Sequence, residues 1–163
     1  MNYSKSPLLY QDEPAYGVPL KLIIVIMPAI FLAASIYMWS SGDTSGGLAL
    51  LVEAFIIGLI FWVVFPCKYQ VYEDGVRIGL GGPLSVKVGF DKIRTIGVTS
   101  RLSFSVNFVT TITKSYVEIV KKKGLSIAIT PRANDSFVEN ANRALSHWVR
   151  TSGRAEPDTK LAL

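Results

Sequence analysis

The chain has 163 residues, of which 50% are hydrophobic and 18% are charged, and its formal net charge at pH 7 is +5. The presence of one cysteine excludes an intramolecular disulfide and a cysteine-based metal cluster. The high apolar fraction fits a helical hairpin joined to a small globular domain. About 45 residues in such a hairpin would leave roughly 100 residues, enough for one hydrophobic core.

Two apolar runs near the start of the chain, 22–39 and 46–65, are each long enough to cross a bilayer as a helix. At a rise of about 1.5 Å per residue they extend roughly 27 and 30 Å, close to the hydrocarbon thickness. Residues 40–45 separate them, so we expect a transmembrane hairpin over 22–65. Pro28 is expected to kink the first span, because proline removes a backbone hydrogen bond.

The distribution of basic residues predicts the orientation of this hairpin. The leader, 1–21, contains Lys5 and Lys21, whereas the loop between the runs has no lysine or arginine, and the chain after residue 65 is rich in both. The positive-inside rule then places both termini and the domain in the cytoplasm. A cleaved signal peptide is disfavoured, because no small-x-small site follows Trp39. We therefore predict an integral protein of the cell membrane with a cytoplasmic leader.

Four small residues are candidates for close helix packing in the hairpin: Ala29, Ala33, Ala54 and Gly58. Ala29 and Ala33 lie four residues apart on the first run, as do Ala54 and Gly58 on the second, and the two pairs lie at similar depth in the bilayer. Small side chains at such positions let two helix backbones approach closely. The same faces would equally well join two copies of the chain, and the sequence does not choose between these arrangements.

Glu53 is the one ionisable residue inside either run and is the candidate intramembrane polar site. A carboxylate is costly in hydrocarbon, so such residues usually face protein or water. Protonation or a hydrogen bond with Ser35 would satisfy Glu53 as a structural residue. A proton or cation path is the functional alternative, but neither run offers a second charged group.

The chain changes character at residue 66, where short alternating patterns begin. Residues 67–80 predict two strands joined at Glu73-Asp74-Gly75, a sequence typical of tight turns. Further strands are predicted at 85–90, 91–98, 102–108 and, as a hairpin around Lys123-Gly124, at 115–130.

A helix is predicted at 134–150, because apolar residues recur there at helical spacing. This apolar stripe consists of Phe137, Ala141, Ala144, Leu145 and Trp148. Asn134, Asp135 or Ser136 can cap the helix start, and Ser136 with Glu139 matches a capping box. The expected domain is therefore a small antiparallel sheet at 66–150 covered by one helix, followed by a polar tail at 151–163.

The order of these segments resembles the bacterial pleckstrin-homology-like (bacterial PH) domains of small membrane proteins. The likeness lies in the leader LLYQDEP, the two spans, YQVYEDGVRI at 69–78, FDKIRTI at 90–96, the hairpin containing YVEIV and GLSIAITP, and a helix opening at DSF. It implies a partly open barrel of about seven antiparallel strands with one C-terminal covering helix. Most members of that family have no assigned activity.

Lipid binding is expected to be weak and nonspecific. Phosphoinositide-binding relatives carry a basic cluster after the first strand, whereas the matching loop here is the acidic turn at 73–75. Lys121, Lys122 and Lys123 form the candidate membrane-surface basic cluster, and each lysine near an anionic leaflet contributes about 1 kcal/mol. The structural alternative is a solvated hairpin tip.

Enzyme signatures are missing from the sequence. His147 is the one histidine and is expected on the surface of the C-terminal helix, and we find no catalytic triad, metal pair or phosphate-cradling loop. We predict no catalytic residue, metal, cofactor or nucleic-acid partner. The expected function is a membrane-anchored, non-enzymatic interaction or scaffold module with a protein partner. The alternative is a small oligomeric transport or channel component that uses Glu53.

Overall fold

The computed structural model describes residues 6–100, 105–111 and 115–153. Three α-helices occur in the described chain: α1 (Val18–Ser40), α2 (Thr44–Val64) and α3 (Asn134–Ser152). The described strands are β1 (Leu8–Asp12), β2 (Pro66–Tyr72), β3 (Gly75–Leu80), β4 (Ser85–Gly89), β5 (Ile93–Thr99), β6 (Ser105–Phe108), β7 (Tyr116–Lys121) and β8 (Ser126–Ile129). A short 3-10 helix, Phe90–Lys92, joins β4 to β5.

Helices α1 and α2 form an apolar hairpin, as the sequence predicts. They have 23 and 21 residues, and both are long and apolar enough to cross a membrane. The connection is shorter than expected, at 41–43. Asp43 caps α2 because its carboxylate accepts a hydrogen bond of 2.9 Å from the Gly46 amide. The first helix begins at Val18, since Pro19 fits the first helical turn.

The described strands form two four-stranded sheets and not a closed barrel. The strand orders are β1-β2-β3-β4 and β5-β7-β8-β6. Among the described residues there are eight strands, one more than the resemblance implied, and β6 pairs with β8 in parallel. The expectation of a wholly antiparallel sheet is therefore wrong at this pair. Part of the strand predicted at 102–108 lies outside the described residues.

The additional strand comes from the leader. Strand β1 lies before the hairpin and pairs antiparallel with β2 after it, with Gln11 opposite Gln70 and Asp12 opposite Tyr69. Residues 8–12 of the predicted leader 1–21 thus form a strand of the globular domain. As a result, the globular domain is built from chain on both sides of the hairpin.

The hydrophobic core lies between the two sheets and α3. Phe137 of α3 is fully buried and meets Tyr10 of β1 and Tyr69 of β2 edge to face, with ring centroids 6.2 and 6.3 Å apart. The apolar stripe predicted for this helix is confirmed: Phe137, Ala141, Ala144 and Leu145 are buried, and Trp148 is partly buried beside Phe90.

The start of α3 is capped differently from the sequence prediction. Its cap residue is Ala133, and no side chain of the predicted capping box contributes. Instead, Asp12 of β1 accepts a hydrogen bond of 3.0 Å from the Ala133 amide. Glu139 pairs with Arg143 one turn later, at 2.8 Å. The capping box is therefore wrong, because a carboxylate from a distant strand occupies the helix start.

Residues 13–17, which we call the base strap, connect β1 to α1 and join both sheets at the foot of the hairpin. The Ala15 amide donates to the Thr130 carbonyl oxygen at 2.8 Å, and the Gly17 amide donates to that of Thr110 at 3.0 Å. The two threonines are each only 1% exposed, and their hydroxyl oxygens lie 2.9 Å apart. The strap thus fixes the hairpin to the domain through buried hydrogen bonds.

Candidate functional site

Glu53 lies exposed on the surface of α2, and among the described residues it has no hydrogen-bond or ion-pair partner. The bond expected from Ser35 is not formed. The Ser35 hydroxyl instead donates to the Gly47 carbonyl oxygen at 2.6 Å, and Ser35 is buried. The carboxyl group of Glu53 therefore faces away from the helix contact.

The small residues predicted to pack together are divided between different faces. Ala54 is buried, but Ala29 and Ala33 are exposed on α1. A Cβ built on Gly58 would meet nothing within 4 Å. Only Ala54 therefore lies in the contact within the hairpin, and the alternative that these faces join two copies stays a prediction.

A different set of residues forms the helix contact. The less exposed positions follow steps of three and four residues, as in knobs-into-holes packing. On α1 they include Ile24, Pro28, Phe31, Ser35 and Met38; on α2 they include Gly47, Leu50, Ala54, Ile57 and Phe61. The closest approach is at Gly47, where an added Cβ would lie 3.1 Å from the Ser35 carbonyl oxygen.

An apolar groove runs along α2 on the outside of this contact. Its walls include Leu32, Leu51, Phe55 and Trp62, and Gly58 opens its centre. Its volume is about 750 Å³. The groove explains why Gly58 has open space around it.

The predicted basic cluster lies at the end of the domain opposite the hairpin. Strand β8 runs from this tip toward Thr130 at the base strap, and the distance from Ser126 to Thr130 is about 13 Å by strand rise. Gly124 has a φ of +83°, which allows the tight turn after the lysines. The cluster Lys121–Lys123 is therefore directed away from the point where the chain enters the helices, and its role as a membrane-surface cluster stays a prediction.

Three connections converge at that far end, which we call the distal end: the turn 73–74, the 3-10 helix Phe90–Lys92 and the turn 122–125. The Phe90 amide donates to the Asp74 carbonyl oxygen at 2.9 Å, and the Lys122 amide donates to that of Lys92 at 2.8 Å. Gly81, at the opposite end of β3, packs so closely on α2 that an added Cβ would overlap the Trp62 carbonyl oxygen. The distal end is thus separated from the hairpin by the length of β3, about 17 Å.

Basic side chains outnumber acidic ones at the distal end. The basic residues include Arg77, Lys87, Lys92, Lys121, Lys122 and Lys123, and the acidic ones are Glu73, Asp74 and Asp91. Within the described chain, the salt bridges are those of Arg132 with Glu13 and Arg143 with Glu139, both elsewhere. The distal end therefore carries uncompensated positive charge.

A pocket of about 250 Å³ opens among these residues. It lies on the face of the β1–β4 sheet that points away from the core, and its charged lining residues are Asp74, Arg77, Lys87 and Lys92. Arg77 of β3 and Lys87 of β4 are directly opposite each other in the register. Like charges in that position repel each other.

The same face carries a row of polar residues across all four strands. Gln11 pairs with Gln70, Gln70 with Arg77, and Arg77 with Lys87 in successive registers. The Gln70 amide donates to the Gln11 side-chain oxygen at 2.7 Å, and the Tyr72 hydroxyl donates to the Gln70 oxygen at 3.2 Å. These bonds join the two glutamines and Tyr72 to one another but do not include Arg77.

Sequence reasoning did not bring Arg77, Lys87 and Lys92 together. The register was nevertheless accessible, because the turn after Leu80 pairs Gly79 with Ser85 and hence residue 77 with residue 87. Counting outward from that turn would have placed the arginine opposite the lysine.

Residues with common catalytic chemistry are scattered. His147 is exposed on α3, as predicted, and Cys67 is exposed one residue into β2. In the part of the chain that the structure describes, no group of three or more His, Cys, Asp or Glu residues is arranged to hold a metal ion.

Comparison with protein-family models, curated proteins and solved structures finds no match to this chain. The likeness to bacterial PH domains therefore stays a prediction.

Proposed function

We propose that this chain is an integral membrane protein whose β-rich domain is a non-enzymatic binding module for an acidic protein partner in the cytoplasm. The observation that carries the proposal is the position of the positive charge. This charge lies at the distal end, whereas the opposite end of the domain is connected to the apolar hairpin through both β1 and β2.

The membrane assignment is supported by the surface of the hairpin. Val25, Phe55 and Trp62 are 68%, 70% and 59% exposed, whereas the core helix of a soluble domain buries such side chains. A surface this apolar requires a partner, and both helices have the length of a bilayer crossing. The excess of basic residues outside the loop 41–43 supports a cytoplasmic domain.

The binding role is supported by the way the domain is anchored. The hairpin leaves from β1 and returns to β2, which are neighbours in one sheet, and the base strap joins them to the second sheet. An anchor connected at two points restrains the domain and leaves the distal end projecting from it. Positive charge there attracts an acidic surface and speeds its association. The resemblance to bacterial PH domains favours the same role.

Topology and binding need separate tests. Labelling of the native Cys67 shows on which side of the membrane the domain lies. Labelling of a cysteine that replaces Thr44, in a Cys67→Ser background, shows on which side the loop between the helices lies. We expect a membrane-impermeant maleimide to label only the Thr44 position in intact cells and both positions after permeabilisation. Labelling of Cys67 in intact cells, with the Thr44 position protected, would reverse the orientation.

Partner binding is tested with a photo-crosslinking amino acid at Lys122, compared with one at Ser136, which is exposed in the first turn of α3 at the base of the domain. We expect a crosslinked protein at the first position only, attached through an acidic segment, and its loss when Lys121, Lys122 and Lys123 are replaced by Glu. Equal crosslinking at both positions, or no effect of the charge reversal, would contradict the proposal.

The transport alternative has less support. Glu53 points away from the helix contact and has no charged partner among the described residues. A conducting path would therefore have to be assembled from several copies, each contributing this one carboxyl group.

A further inference from the structure

We propose that the pocket at the distal end is a binding site for a phosphate-type oxyanion, with Arg77 as its main ligand and Lys87 and Lys92 as supporting cations. The inference extends the proposed function, because it gives the basic distal end a ligand of defined chemistry.

The first observation is the state of Arg77. Its Nε atom is buried but has no hydrogen-bond partner in the described structure. A buried donor without a partner loses its hydration without compensation, so such groups are rare in folded proteins. An oxyanion in the adjoining pocket would accept this hydrogen bond, and guanidinium groups are suited to bind phosphate oxygens through two N–H groups.

The second observation is the pairing of Arg77 with Lys87 across β3 and β4. Residues directly opposite in an antiparallel pair have Cβ atoms about 5 Å apart, so the two cations destabilise the strand pair. Neither side chain makes a salt bridge among the described residues. An anion bound between them would convert this repulsion into two attractive interactions.

The third observation is the space beside these cations. Gly75 of β3 is paired with Gly89 of β4, two residues along the strands from the pair of Arg77 and Lys87, and both glycines line the pocket. An added Cβ on Gly75 would overlap the Val88 carbonyl oxygen, so a side chain cannot occupy this point without a shift of the strands. Because neither glycine has a side chain, backbone atoms form this wall of the recess beside the arginine and lysine.

The balance of charges around the recess favours an anion. Arg77, Lys87 and Lys92 line it together with the carboxylate of Asp74, and the Asp91 carboxylate lies beside it against Gly89. The cations therefore outnumber the carboxylates by three to two, and Ser6 adds a hydroxyl donor. The recess is about 250 Å³, which accommodates an ion of phosphate size and part of the group to which it is attached. Its separation from the hairpin, about 17 Å along β3, favours a soluble phosphate over a headgroup of the same membrane.

The test is a titration of the full chain with inorganic phosphate in a chloride buffer. The protein is held in nanodiscs of zwitterionic lipid, and binding is followed by calorimetry and by amide chemical shifts at 72–77 and 87–92. We expect saturable binding that Arg77→Gln weakens by about tenfold or more, because a charge-assisted bond is lost. Lys87→Gln and Lys92→Gln should each weaken binding by a smaller factor.

Lys68→Gln is the matched control. Lys68 lies on β2, on the same face of the same sheet, with its stem over Gly79 near the hairpin. This variant removes an equal charge away from the pocket and should change the phosphate affinity less than about twofold. If Arg77→Gln does not fold, the exposed Lys87 and Lys92 variants provide the same comparison. Absence of saturable binding, or equal losses in the control and the pocket variants, would overturn the proposal.

A second arm identifies the source of the phosphate. In nanodiscs containing phosphatidic acid, we expect an unchanged affinity for free phosphate. If phosphatidic acid instead lowers the apparent affinity for free phosphate, and this difference between the two lipid compositions disappears in Arg77→Gln, the oxyanion site is retained and its ligand is a lipid headgroup. Because no protein partner is present in either arm, this inference can fail while crosslinking to an acidic partner succeeds, and the reverse also holds.

Discussion

The Tyr16 hydroxyl donates a hydrogen bond to the Pro66 carbonyl oxygen, with 2.5 Å between the two oxygens. Tyr16 lies two residues before α1, and Pro66 lies two residues after α2, so this one bond closes the base of the hairpin. The Tyr16 ring also meets that of Phe65, at 6.4 Å between centroids. The entry to the first helix and the exit from the second are therefore held side by side.

Removing this hydrogen bond should destabilise the junction between hairpin and domain. We expect Tyr16→Phe to lower the free energy of unfolding by about 0.5–1.5 kcal/mol, because the ring stays but the Pro66 carbonyl loses its donor. Thermal unfolding in detergent measures the change. Tyr37→Phe is the control, since Tyr37 is exposed on α1 and its hydroxyl has no partner among the described residues. An equal loss of stability in both variants would contradict a specific role for the bond.

The Tyr16 hydroxyl should also make the stability of the protein depend on pH at high pH. Burial, and to a lesser extent the nearby Cys67 thiolate, raises the pKa of Tyr16 from 10.0 to about 12. A raised pKa means that the folded protein holds the proton more tightly than the unfolded chain. The resulting stability is complete below pH 10 and is lost as the pH rises toward about 12.

An ultraviolet titration of tyrosinate absorbance measures this shift. We expect Tyr16→Phe to remove one phenol that titrates near pH 12, and Cys67→Ser to lower the pKa of Tyr16 slightly, because burial is the larger cause. Removal of a phenol that titrates near pH 10 would show that Tyr16 is solvated.

The helix contact should depend on Gly47 and not on Gly58. An added side chain at Gly47 meets Ser35 and Trp39, with a Cβ 3.1 Å from the Ser35 carbonyl oxygen, whereas Gly58 has open space. We therefore expect Gly47→Val to lower the temperature of unfolding in detergent and to weaken the bond from Ser35 to residue 47. Gly58→Val should leave the unfolding temperature of the monomer unchanged. A change of oligomeric state in the Gly58 variant would instead support the joining of two copies through this face.

The features that the sequence predicts correctly are those encoded by neighbouring residues. The apolar runs define α1 and α2, the spacing from Phe137 to Leu145 defines the buried face of α3, and a turn sequence joins β2 to β3. Each depends on contacts within about ten residues, which periodicity and turn chemistry describe.

The features that it misses depend on distant pairings. Strand β1 has only five residues and no clear alternation, and its partner β2 follows the whole hairpin. The cap of α3 comes from that same strand, through Asp12. The choice of Gly47 over Gly58 depends on which helix faces the three-residue connection brings together. In each case a tertiary contact selects between local alternatives of similar energy.

The long-range cap should be measurable at Asp12. We expect Asp12→Ala to lower the free energy of unfolding by about 0.5–2 kcal/mol, because the Ala133 amide loses its acceptor. Asp12→Asn should retain part of the effect, since an amide oxygen still accepts. Asp135→Ala is the comparison, because Asp135 lies in the first turn of α3 but makes no capping bond. A larger loss at Asp135 would show that charge near the helix start matters more than the hydrogen bond.

The position of β1 also predicts how to obtain the domain without its hairpin. A fragment spanning 66–153 lacks β1, the base strap and the Asp12 cap, so it exposes one edge of β2 and loses the contact of Tyr10 with Phe137. We expect it to be poorly folded. Joining residues 6–17 to 66–153 through a short Gly/Ser linker should restore the fold, because the bond from Tyr16 to Pro66 shows that the two ends are adjacent.

Amide chemical-shift dispersion and hydrogen exchange of the two fragments provide the measurement. The linked fragment should show protection at those amides of Tyr69–Tyr72 that point toward β1, along the edge where β1 pairs with β2. A matched linked fragment with Tyr10→Ser and Asp12→Ala removes the contact with Phe137 and the cap of α3, and should lose much of that protection. If the 66–153 fragment alone is as well folded and as protected as the linked one, then β1 is an accessory strand and the hairpin is attached to the domain less firmly than these contacts imply.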